Sequence, residues 1–124
     1  MKVPILRLKN ILLTSIQIDL TDHDALEFQA DVLGAVTDTD AQGIIIDITA
    51  LDIVDSFLAR VLNETASMTR LLGAEAVITG MQPSVALTLI EMGRELIDVK
   101  TALNLDQGMV KLQSLIKKRS TRNG

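Results

Sequence analysis

The chain has 124 residues, 48% of them hydrophobic, which suits one compact domain with its own core. A formal net charge of −4 and only two aromatic residues, Phe28 and Phe57, argue against nucleic-acid binding, which calls for a basic face and stacking rings. Without cysteine there are no disulfides, thiolate metal sites or cysteine nucleophiles, and no apolar run reaches the ~20 residues of a membrane span. The N-terminal stretch carries charge where a signal peptide keeps an apolar block, so a cytoplasmic location is expected.

Apolar residues dominate Val3–Leu8 and Ile11–Ile18, and Lys9-Asn10 between them reads as the tight turn of an antiparallel strand pair. Thr21 with Asp24 resembles a capping box. Ala25, Phe28, Val32 and Val36 then recur at helical spacing, which predicts a first helix over Asp22–Val36 and a polar loop over Thr37–Asp40. The β-branched run Gly43–Thr49 reads as a central parallel strand buried on both faces. A connection, Ala50–Asp55, leads to a second helix, Ser56–Leu72, with an inward stripe of Phe57, Val61, Met68 and Leu72 and a stop at Gly73.

The pattern then repeats. Ala76–Thr79 is a strand and Gly80–Pro83 a loop, with Pro83 at the first turn of a third helix that runs to Met92 and ends at Gly93. Val85 and Leu89 read as packing residues of that helix, whereas Met81 falls on a partly exposed segment. Val99–Leu103 is a short edge strand. Asp106 would cap a last helix over Gln107–Lys117, with Val110, Leu112, Leu115 and Ile116 as its apolar side. Residues 1–118 thus form one domain, and 119–124 a basic, flexible tail. Lys117, Lys118, Arg119 and Arg122 there suit a helix C-terminus, where the macrodipole is negative. Strands alternating with helices predict an α/β fold: a single mixed, mostly parallel sheet of about five strands with four helices.

In such sheets the working loops lie at the carboxyl ends of the strands, here Asp19–Asp22, Ala50–Asp55 and Gly80–Pro83. The middle loop and the helix start after it bring Asp52, Asp55 and Ser56 within five residues. Neither a phosphate-binding glycine loop nor a nucleophile elbow is present. The single histidine, His23, sits between Asp22 and Asp24 at a helix start, where it reads as solvated rather than as a zinc ligand or a general base. No catalytic residue, metal or cofactor is therefore expected. Ser56 admits two readings. Structurally, a serine at a helix start accepts from an otherwise unpaired backbone N–H. Functionally, it could accept a phosphoryl group of about −1.5 to −2 charges. A helix N-terminus tolerates that anion, but a partner seated over Asp52, Asp55 and Ser56 would meet it as repulsion.

Asp55-Ser56 after the strand Gly43–Thr49 resembles the phosphorylation motif of STAS-domain anti-sigma-factor antagonists. The common motif continues with a second hydroxyl residue and a glycine; this chain continues Phe57-Leu58-Ala59. That departure fits the stressosome scaffold branch of the family, which the chain resembles over nearly its full length. The matching pieces include Val3-Pro4-Ile5-Leu6, Ser15-Ile16-Gln17, Asp55–Leu62, Thr79-Gly80-Met81-Gln82-Pro83, Thr88–Gly93 and Thr101-Ala102-Leu103. The resemblance implies a STAS fold and a non-catalytic scaffold that holds an RsbT-type switch kinase until Ser56 is phosphorylated. It further implies an RsbR-type co-antagonist, a PP2C-type phosphatase of the RsbX kind and self-association. Partner-binding candidates are Asp52, Asp55, Ser56, Phe57, Gln82 and Pro83. Two alternatives stay open: an antagonist acting directly on an anti-sigma kinase, and a phosphoaspartate receiver built on Asp47, Asp52 and Asp55. The receiver reading lacks an acidic pair after the first strand, where Leu8-Lys9-Asn10 stands. Thr14 and Thr65 remain further hydroxyls open to modification.

Overall fold

The computed structural model describes residues 2–91 and 99–123. Five strands form one sheet in the order β1-β2-β3-β4-β5: β1 Ile5–Leu8, β2 Ile11–Ser15, β3 Gly43–Asp47, β4 Glu75–Thr79 and β5 Lys100–Ala102. β1 and β2 are antiparallel, and every later neighbour is parallel. Among the described residues four helices fill the connections: α1 Asp22–Thr39, α2 Ser56–Leu71, α3 Pro83–Glu91 and α4 Leu105–Asn123. The mixed, mostly parallel α/β sheet read from the sequence is the one that forms.

Local chemistry accounts for most boundaries. Lys9 takes a φ of 54°, the left-handed twist that a two-residue hairpin turn needs. Thr21 and Asp24 form a reciprocal capping box at the start of α1. α1 runs past Val36 to Thr39, and in this last turn the hydroxyls of Thr37 and Thr39 donate back to helix carbonyls, at 3.0 Å to Gly34 and 2.7 Å to Ala35. Asp40 then ends it at a φ of 53°. The expected end of α3 at Met92 and Gly93 lies outside the described residues. α4 is capped by Asn104, whose Oδ1 accepts from the Gln107 N–H at 2.9 Å, and not by Asp106. It also continues beyond Lys117, and Arg119 reaches Glu75 at 3.4 Å.

Side chains alternate across a strand, so the sheet builds two cores. Leu12, Ile44, Ile46 and Ile78 face α1, α2 and α3, packing with Phe28, Val32, Leu62, Val85 and Leu89. Ile11, Ile45 and Val77 face α4, where Leu112 is fully buried against them. Close approach of α4 depends on two glycines. A Cβ at Gly108 would stand 2.3 Å from Thr79 Cγ2, and one at Gly43 would stand 2.7 Å from Leu112 Cδ1.

The expected apolar stripes need correction. In α2 the buried residues are Leu58, Ala59, Val61, Leu62, Thr65, Ala66 and Thr69, while Met68 and Leu72 are exposed. α2 is covered by α1 on one side and by the sheet on another. That widens its buried arc and favours small residues where the helices approach. Thr65 and Thr69 fit there because their hydroxyls donate to the helix carbonyls of Val61 and Thr65, at 2.6 and 2.8 Å. In α4, Val110 points outward and is 73% exposed, so the inward side is Leu112 with the half-buried Leu115 and Ile116.

Candidate functional site

The loops after β2, β3 and β4 meet at the carboxyl edge of the sheet. Asp47, the last residue of β3, ties all three together. It lies in register with Ser15 and Thr79. Its Oδ1 accepts from Thr79 Oγ1 at 2.7 Å and from Thr49 Oγ1 at 2.9 Å, and its Oδ2 from Ser15 Oγ at 3.3 Å. Asp47 therefore serves as a hydrogen-bonded staple, its oxygens occupied by hydroxyls. The β3–α2 loop is also bound to the start of α3. Gln82 Nε2 donates to the Thr49 carbonyl at 2.7 Å, and Ser84 Oγ to the Asp52 carbonyl at 3.3 Å. Gly80 permits the approach: its φ is 75°, and a Cβ there would fall 1.9 Å from Thr49 Oγ1.

On this braced loop Leu51 and Val54 are buried anchors, whereas Asp52, Ile53 and Asp55 face outward. Asp55 is the N-cap of α2. Its backbone is extended, and its Oδ1 accepts from the Leu58 N–H at 2.8 Å. The capping role that a serine at this helix start could have taken therefore belongs to Asp55. Ser56 is the first helical residue. It is exposed, and its hydroxyl makes no hydrogen bond to any described residue.

Phe57 is half-buried against the main core, and the Arg60 guanidinium lies over its ring, 5.6 Å from the centroid. Gln82 is partly buried and Pro83 exposed. The structure thus gathers Asp52, Asp55, Ser56 and Phe57 on one loop and helix start, with Gln82 bonded to the base of that loop.

Sequence reasoning missed Ile53 as an individual site residue. It is 74% exposed between two acids, beside a groove of about 190 Å³ lined by Asp19, Leu20, Leu51, Ile53, Asp55 and Leu58. A lone aliphatic residue inside an acidic loop was the available signal. Arg60 was visible only as part of a longer matching piece, although its spacing of four from Ser56 could have singled it out. His23 is at the surface with Glu27, 3.9 Å away, and no metal-binding cluster occurs among the described residues. Thr14 and Thr65 are buried, at 1% and 0% exposure, which puts both beyond a kinase's reach in the folded protein.

The STAS domain family matches residues 2–108 of this fold. The chain belongs to the STAS-domain family. The expected STAS fold and the resemblance to its stressosome branch are both borne out. A solved RsbS variant from Moorella thermoacetica is 40% identical, with a TM-score of 0.82 over 94% of this chain and 99% of that one. A chain from a structure of the stressosome, described as a signal integration and transduction hub, is 42% identical. Its TM-score is 0.75 over 90% of this chain and 97% of that one. The RsbT co-antagonist protein RsbRA of Bacillus subtilis is 29% identical over 85 residues, covering 68% of this chain. This STAS chain spans about a third of the length of RsbRA and of its paralogue RsbRD, 31% and 33%. Among the described residues no helix is long and apolar enough to cross a membrane.

Proposed function

We propose that this protein is a non-catalytic scaffold and antagonist of a stressosome, acting in the cytoplasm, that holds an RsbT-type switch kinase and releases it when Ser56 is phosphorylated. The observation that carries this reading is the state of Ser56: exposed, unbonded among the described residues, and set at the end of a loop braced by two hydrogen bonds from the start of α3. The kinase docks over Asp52, Ile53, Asp55 and Ser56, with Phe57, Gln82 and Pro83 at the margin. Transfer moves the γ-phosphoryl of ATP to Ser56 Oγ. The hydroxyl proton passes to a base on the kinase, and ADP leaves. The new dianion stands beside Asp55 and Asp52, at an interface that excludes water, and repels the docked partner. A PP2C-type phosphatase of the RsbX kind restores the serine by hydrolysis. Full-length likeness to RsbS and the likeness to RsbT co-antagonists support assembly with further copies and with RsbR-type partners.

The decisive experiment is mass spectrometry after incubation with an RsbT-type kinase and ATP. A single acid-stable phosphate on the peptide carrying Ser56 is expected. Phosphate on another residue, or none, refutes the assignment. Light scattering of the chain with an RsbR-type partner tests assembly, and a discrete dimer that never joins a larger particle would favour an antagonist acting directly on an anti-sigma kinase.

A further inference from the structure

A phosphate on Ser56 would arrive in an unfavourable field. Asp55 adjoins it in sequence, and Asp52 lies on the same loop. The helix N-terminus gives less relief than usual, because the Asp55 carboxylate already takes the Leu58 N–H at 2.8 Å. The modified serine therefore needs a cation, and the helix geometry supplies one. Residues four apart on a helix are neighbours, and long side chains lean back toward the N-terminus. Arg60 is four residues after Ser56. Its guanidinium already rests at the level of the first turn, 5.6 Å from the centre of the Phe57 ring. Arg60 is exposed and has no carboxylate partner among the described residues, so nothing stronger than the ring holds it.

We infer that Arg60 is the intramolecular clamp of the phosphorylated state: its guanidinium leaves the face of Phe57 and pairs with the phosphate on Ser56. The fork of guanidinium donors matches phosphate oxygens, and a charge-assisted pair outweighs an exposed cation–π contact. The movement has two consequences. It holds the phosphate against α2, and it uncovers Phe57 on the surface where the kinase docks. The switch then changes shape as well as charge, within one helical turn. This inference rests on the proposed phosphorylation of Ser56, so its test does not use the kinase.

Phosphoserine is encoded at position 56 during translation, in the full chain and in Arg60→Gln and Arg60→Lys variants. Phosphorus NMR follows the second ionisation of the phosphate as pH is varied. In the parent the pKa falls below the usual value of about 6. In Arg60→Gln it moves up by roughly half a unit or more, and Arg60→Lys lies between, as expected for a point charge in place of a planar fork. Proton NMR gives a second readout, because Phe28 and Phe57 are the only phenyl rings. The Phe57 ring signals shift on phosphorylation in the parent and stay put in phosphorylated Arg60→Gln relative to the unphosphorylated variant. Equal phosphate pKa values in parent and Arg60→Gln, with both proteins folded, overturn the clamp. If the clamp is present but the kinase fails to modify Ser56, the assignment of the acceptor fails and the clamp stands.

Discussion

Ser56 and Asp55 are adjacent yet have separate work. Asp55 holds the helix start through the Leu58 N–H, and the Ser56 hydroxyl is unbonded among the described residues. Asp55→Ala should lower stability by about 1 kcal/mol, the usual value of an N-cap. Ser56→Ala should lower it by less, and thermal melts of the two variants compare them directly. In a kinase pull-down, Ser56→Ala should capture kinase and retain it after ATP is added. Ser56→Asp should bind roughly tenfold more weakly, the effect of about one like-charge contact near a surface. Unchanged affinity of Ser56→Asp would remove the electrostatic account of release. Ile53 offers an independent check. If the kinase docks on this loop as proposed, Ile53 is its exposed aliphatic anchor, so Ile53→Asp should cost at least ~2 kcal/mol of kinase affinity while leaving the melting temperature within a degree or two.

At the scale of elements, the working loop is only as well placed as its braces. Asp47 fastens β2, β3 and β4 at their carboxyl ends, and Gln82 and Ser84 fasten the β3–α2 loop to α3. Gly80 sits where these meet. Gly80→Ala combines a positive φ with a Cβ placed 1.9 Å from Thr49 Oγ1. It should destabilise the fold by roughly 1–3 kcal/mol. Kinase affinity should fall with it although no residue of the proposed docking surface has changed, a combination that chemical denaturation and a binding titration resolve. Much of this level was legible in the sequence. The capping box at Thr21, the turn at Lys9-Asn10 and the break at Gly73 are local chemistry, and each appears where its residues stand. The inward faces of α2 and α4 were less legible. Met68 and Val110 are as hydrophobic as their buried neighbours, and only the packing of α2 against α1 and the sheet, and of α4 against the other face of the sheet, sends them outward.

At the scale of the molecule, the sheet is covered unequally. Among the described residues three helices share one face, whereas α4 alone closes the other over Ile11, Ile45 and Val77. Removing the chain after Asn104 should therefore open that whole face. The truncated protein should keep much of its far-ultraviolet dichroism, lose a sharp melting transition and bind a hydrophobic dye. A sharp, cooperative melt in the truncated form would mean that the second core is dispensable.

Sequence alone determined the order of strands and helices and the family, because hydrophobic period, turn residues and the pieces around Asp55-Ser56 are properties of short stretches. It also placed a candidate hydroxyl at a helix start. Only the tertiary structure decided which residue caps that helix, that Thr14 and Thr65 are sealed off, that Ile53 stands in solvent, and that Asp47 is held by three hydroxyls, from β2, β4 and the β3–α2 loop. Most of those facts depend on which surfaces meet between segments distant in the chain, such as Gln29 and Thr65, which share a hydrogen bond across 36 residues. Burial and long-range hydrogen bonding belong to the packed chain and not to any stretch of it.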